Sequence, residues 1–187
     1  MASAFTHAFA AIALGKIFSD RPRGWRFWVL ATGSAVLPDA DVITFACGVQ
    51  YGDPLGHRGF FHSLFFALIW ALFVVGVQFR KSNEFWPLTA LFFIFTASHP
   101  LLDAMTNGGL GVALFAPFDN TRYFLPWRPI EVSPISITRF FQEGGGRVLR
   151  SEFIYVWLPV LALWLCAWTG RRAWRSITAW SKIDRPV

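Results

Sequence analysis

The chain has 187 residues and a net charge of +6; 55% of its residues are hydrophobic and only 15% charged. Soluble domains carry roughly 25% charged residues, so this composition, with a mean hydropathy of +0.44, excludes an ordinary soluble domain and indicates a membrane protein. In a soluble chain the basic balance would suggest nucleic acid; here most Lys and Arg lie in short segments between apolar runs, where they report topology and no nucleic-acid partner is expected.

Five apolar stretches follow one another within a single polytopic unit, residues 1–187. The first, 2–18, could be mistaken for a signal peptide, but it lacks a basic leading region and carries His7, so it reads as a retained helix. The second, 25–37, is short and meets Pro38, which disfavours helical geometry at Leu37. It either ends inside the membrane or continues as a kinked helix through 42–46. The third and fourth, 60–79 and 85–104, have the length of about 20 residues that a spanning helix needs. Residues 104–151 are rich in Gly, Pro and aromatics and are not apolar enough to span. They read as an ordered interfacial loop, since a structureless segment of that length in a compact protein is usually functional or disordered. The fifth stretch, 153–169, spans again, and 171–187 forms a basic tail. Cys47 and Cys166 show no metal or redox spacing, and Cys166 lies in an apolar run, against a disulfide framework. The expected fold is an all-α membrane protein of about five transmembrane helices, with a long extracytoplasmic cap between the fourth and fifth.

Alternate helix ends define two sides. One holds Lys16, Arg21, Arg23, Arg26, Arg80, Lys81, Arg171, Arg172, Arg175, Lys182 and Arg185, eleven cations; the other holds Arg58, Arg122, Arg128, Arg139, Arg147 and Arg150, six. Five of those six lie in the long segment, where the bias counts for less. The first side is therefore expected to be cytoplasmic, with Trp25, Trp28, Trp86, Trp168 and Trp174 near its boundary. The long loop then faces outward.

That alternation brings every histidine to the outer side at similar depth. His7 lies near the outer end of the first helix, His57 and His62 at that of the third, and His99 near that of the fourth. Asp39 and Asp41, in "LPDAD", end the second helix, and Asp103 follows His99 by four residues. An i, i+4 pair projects from one helical face, so His99 and Asp103 make a two-ligand clamp. Just past a proline, an irregular backbone can aim both Asp39 and Asp41 inward. His57 and His62 are about 140° apart on an ideal helix; His57 is placed on the loop "YGDPLGHRG" and His62 in the first helical turn. Taken singly, each residue reads as an interfacial histidine or a turn aspartate. Seven together, without thiolate, suit zinc, with manganese or iron as alternatives. Seven ligands exceed one catalytic zinc and would serve two ions.

"THAFAAIALG", "GSAVLPDAD", "HRGFFHS", "SHPLLDAMTN" and "PFDNTRYFLPWRPIEVSP" resemble the YdjM family of bacterial membrane-bound proteins, described as metal-dependent hydrolases. The resemblance covers most of residues 1–140 and implies a bacterial inner-membrane location. More distantly, the ligand order is similar to zinc-dependent phospholipase C and the P1-type nucleases, which cleave phosphodiesters at a zinc cluster. Those enzymes carry later histidines, and this chain has none after His99.

Guanidinium matches phosphate oxygens bidentately, so Arg58 and Arg122 are candidates for holding an anionic head group. Asp119 reads as a turn residue; Ser63, Ser98, Thr106 and Asn107 are possible supporting donors. No Gly-x-Ser-x-Gly elbow or His-Glu-x-x-His motif is present. The expected function is metal-dependent hydrolysis of a lipid-borne ester, above all a phosphoester, with Asp41 as base and the site on the extracytoplasmic side. The alternatives are an ion or proton carrier built from the same residues, and a membrane protein with a purely structural metal.

Overall fold

A computed structural model describes residues 1–19 and 21–183; Asp20 and residues 184–187, with Arg185 of the basic tail, lie outside the described residues. Its helices are α1 (Ala4–Phe18), α2 (Trp25–Val36), α3 (Leu64–Gln78), α4 (Phe85–Ala104), α5 (Ile137–Glu143), α6 (Gly145–Glu152) and α7 (Leu158–Ile183). The described residues form no sheet; only isolated bridges, Thr106 with Ile130 and Val112 with Tyr123, tie the long loop together.

Three helical runs are long and apolar enough to cross a bilayer: Trp25–Cys47, Phe85–Ala104 and Gly145–Ser176. The second expected stretch thus continues past its proline. From Leu37 to Cys47 the helix tightens to a 3-10 form with Pro38 in its first turn, where a missing N–H is tolerated. The fifth stretch is longer than expected, because α6 runs through a π turn at Phe153–Trp157 into α7. The cap therefore contains helix as well as loop.

α1 and α3 come out shorter than their apolar stretches, at 15 residues each, about 22 Å against a hydrocarbon core of ~30 Å. Ser3 and Ser63 set their starts: each stands in extended backbone, and its hydroxyl accepts an N–H of the first turn, from Thr6 and Phe66 respectively. His62 consequently lies not in the first turn of α3, as expected, but in a 3-10 turn, Phe60–His62, just ahead of that cap.

α4 is the centre of the bundle, packing against α1, α2 and α3, while α7 packs on α1. The core joins small residues, Ala11, Ala31, Ala35 and Ala71, to Phe27, Phe92 and Phe95. Lipid removes the hydrophobic drive between helices, so close approach over small side chains carries the packing. Phe27 meets Phe92 edge-on at 5.6 Å. On the outer faces of α3 and α7, Leu68, Ile69, Phe73, Leu163 and Leu165 are exposed, as lipid-facing side chains are.

Candidate metal centre

All seven predicted ligands are buried, Asp39 being the most accessible at 8%. They come from α1 (His7), the 3-10 segment (Asp39, Asp41), the loop before α3 (His57), the 3-10 turn (His62) and the last turns of α4 (His99, Asp103). Ligand-type atoms of Asp39, His62, His99 and Asp103 all lie within 4.8 Å of one another; those of Asp41, His57 and His62 form a second such group. His7 is in neither. It stacks on His99, ring centroids 3.6 Å apart, with Nε2 3.5 Å from Asp103 Oδ1.

Local structure decides which imidazole nitrogens are bare. Pro38 brings no N–H to its turn, and the Ala35 carbonyl accepts instead from His99 Nδ1 at 2.7 Å. A carbonyl only accepts, so His99 carries its proton on Nδ1 and Nε2 keeps a lone pair. Asp41 Oδ2 lies 3.0 Å from His62 Nδ1, and a proton on that nitrogen would face the carboxylate. His62 Nε2 and His99 Nε2 then face each other at 3.1 Å. Two lone pairs at that distance repel unless a cation or a proton lies between them.

Asp39 strengthens the case. Neither of its buried oxygens has a hydrogen-bond partner, although burying a carboxylate unpaired is among the costliest arrangements a protein can hold. Its Oδ1 is 3.3 Å from His99 Nε2 and 3.7 Å from His62 Nε2, and Asp103 Oδ2 is 3.8 Å from His62 Nε2. Ligands at the zinc bond lengths of 2.0–2.2 Å stand about 3.3–3.6 Å apart on a tetrahedron, so the set fits a small divalent ion with modest tightening.

Asp41 is bound differently. Its Oδ1 accepts from His57 Nδ1 at 2.7 Å and its Oδ2 from the Arg58 N–H at 3.1 Å. This leaves His57 Nε2 bare, buried and without a partner. The loop carrying His57 and Arg58 is bracketed by Gly56 and Gly59, where a Cβ would collide with the carbonyls of Gln50 and Pro54.

Both arginines bond to groups of the protein itself. Arg58 is wholly buried: Nε donates to Asp103 Oδ2 at 3.0 Å, and its terminal nitrogens to the Gly108 carbonyl and Thr106 Oγ1, each at 2.9 Å. Arg122 donates to the carbonyls of His57, Tyr51 and Asp53, clamping the His57 loop; partial burial lowers its pKa. Asp119 sits apart as a turn residue, accepting from the Thr121 N–H and the Tyr123 hydroxyl, bonds that hold its carboxyl below the ordinary range. Among the expected supporting donors, Ser63 caps α3, Ser98 donates within α4, and Asn107 accepts from the Val132 N–H.

Glu152 escaped the sequence reading. It is fully buried, accepting from Ser3 N–H at 2.5 Å, Ser3 Oγ at 2.6 Å and Thr6 Oγ1 at 2.8 Å. It ties α6 to the start of α1, where the Ala2 N–H donates to Asp103 Oδ1 at 2.6 Å. The only signal was a carboxylate at the edge of an apolar stretch.

The family described as YdjM inner membrane protein matches residues 1–176. Inner membrane protein YbcI of Escherichia coli (strain K12) is 37% identical over 173 residues, which is 92% of this chain and the whole of that relative. No solved structure matches.

Proposed function

Since the chain belongs to the YdjM family of inner membrane proteins, we propose that its His/Asp cluster holds a catalytic divalent ion, zinc above manganese or iron, and that the protein hydrolyses an ester of a membrane lipid, above all a phosphoester. The carrying observation is the meeting of two bare imidazole nitrogens with the unpartnered Asp39 carboxylate in a buried site.

His62, His99, Asp39 and Asp103 would hold the ion. When bound, it supplies Lewis-acid polarisation of the ester and a more acidic water. Asp41 stands outside this four-residue group and moves the proton, with His57 held against it as an oriented partner. Asp41 also lines a cleft of about 270 Å³ whose other walls include Leu37, Phe61, Phe66 and Trp70. An apolar cleft that reaches a carboxylate beside the cluster suits a lipid whose scissile bond stays at the membrane boundary. Arg58 and Arg122 are positioning residues, one holding Asp103 and the other the His57 loop. The second ligand-type group, Asp41, His57 and His62, leaves room in this reading for a second ion.

Metal analysis and turnover test the proposal together. Protein purified without chelator should carry at least one transition metal per chain, and His99→Ala or Asp103→Ala should lose it. Asp41→Asn should keep most of the metal yet lose roughly 10²–10⁴-fold in hydrolysis, the usual size of general acid–base assistance. Metal-free wild type that takes up no ion would overturn the metal assignment. Metal-loaded protein that moves protons across liposomes and cleaves no lipid ester would overturn the hydrolase assignment.

A further inference from the structure

At the end of the bundle away from the His/Asp cluster, a cleft of about 630 Å³ opens between α1 and α7. It begins about 14 Å along α1 from His7, nine residues at the helical rise. Lys16, Arg21, Arg171, Arg172 and Arg175 line it, and no described residue lining it is acidic. Arg21 also pairs with Glu84. Arg171 spans the two helices, donating to the carbonyls of Ile17 at 2.8 Å and Lys16 at 3.0 Å at the C-terminus of α1.

The walls are as informative as the charges. Trp164 and Trp168 face the cleft; Arg172 lies over the Trp168 ring at 5.4 Å, and Lys16 over Trp28 at 4.8 Å. The charged ends of both cations rest on these rings, and both residues remain exposed. Below the cleft, α7 offers Leu163 and Leu165 to lipid. The positive-inside tendency explains cations at one end of a bundle. It does not require them to converge with two indoles on one concave helix junction.

We infer that this cleft binds the phosphate head group of an anionic phospholipid, with Lys16 and Arg172 on the phosphate and Trp164 and Trp168 against the glycerol and upper acyl chain. Basic pockets between transmembrane helices take anionic head groups, and indoles favour that depth. The chemistry recognised is a phosphate, and the apolar wall running into lipid-facing α7 commits the site to a lipid and not to free phosphate. The inference is independent of any catalysis at the other end.

Lipid retention decides it. Detergent-purified full-length protein would be equilibrated with phosphatidylglycerol or phosphatidylcholine and its bound lipid counted by native mass spectrometry. Wild type should retain phosphatidylglycerol preferentially, and Lys16→Gln or Arg172→Gln should each weaken that retention about fivefold, the worth of one cation near an anionic surface. Arg80→Gln/Lys81→Gln removes two cations from the α3–α4 turn, outside the cleft, and should change little. Because Arg172 is exposed on α7, its variant tests the site even if Lys16→Gln misfolds. Equal retention of the two lipids by wild type would overturn the inference, as would equal weakening in the α3–α4 control. Displacement of the lipid by millimolar inorganic phosphate would also overturn it, assigning the cleft to a free anion.

Discussion

Arg58 shows how much of the cluster is held by one residue, which bonds two of the candidate ligands, Asp41 and Asp103. Its backbone sits at φ 63°, a left-handed conformation unusual for a side chain of this size. Such strain costs on the order of 1–3 kcal/mol and persists only when its surroundings over-determine it. Here they do: the N–H serves Asp41, and the guanidinium serves Asp103, Thr106 and Gly108. Removing one partner of a buried ion pair leaves the other uncompensated, at about 3–5 kcal/mol. Arg58→Ala should therefore lower unfolding stability in detergent by that amount. Arg58→Lys should recover only part of it, because an ammonium cannot reproduce the planar fork. A loss under about 1 kcal/mol for Arg58→Ala would mean that the pair behaves like an exposed one.

At the scale of the element, the change from α-helix to 3-10 helix at Pro38 does two things. It leads the chain so that Asp39 meets His62 and His99 while Asp41, two residues on, meets His57 and the far nitrogen of His62. It also leaves the Ala35 carbonyl to His99 Nδ1, since in an i to i+3 pattern that carbonyl's backbone partner would be the nitrogen of residue 38. Pro38→Ala supplies the missing N–H and competes with the imidazole. Outer-partner losses typically cost 10–100-fold in metal affinity, and chelator competition on the variant should show a fall in that range with the helices intact by circular dichroism. Unchanged affinity would show that the Ala35 contact does not orient His99. The α4 end contributes a simpler device: His99 and Asp103, one turn apart, reach the same group of ligand atoms from one face.

At the scale of the molecule, the His/Asp cluster and the basic cleft lie at opposite ends of the bundle, so its orientation decides which compartment each faces. The expectation that the cluster lies outside rests on the eleven-to-six split of cations. Labelling of single cysteines in a background without Cys47 and Cys166 tests this, since residues 53 and 83 are both exposed. Asp53→Cys should react with an impermeant thiol reagent in intact cells, and Asn83→Cys only after permeabilisation. The reverse pattern would put the cluster in the cytoplasm and move the search for a substrate to the inner leaflet.

The membrane class, the helical architecture and the meeting of histidines with aspartates were legible in the chain itself, because hydropathy and charge are sums over neighbouring residues. Alternating apolar stretches sufficed to bring His57, His62, His99, Asp39, Asp41 and Asp103 together, and the structure gathers those six into two groups of ligand atoms. The tertiary structure alone decided the rest. It turned Arg58 and Arg122 onto the protein's own carbonyls and Asp103. It made Glu152 the anchor of α1, and left Asp39 bare while Asp41 was satisfied. These outcomes share one physical cause. A buried polar group must find its partner through space, and which carbonyl, carboxylate or imidazole comes within about 3 Å depends on how distant segments pack, which no local pattern encodes.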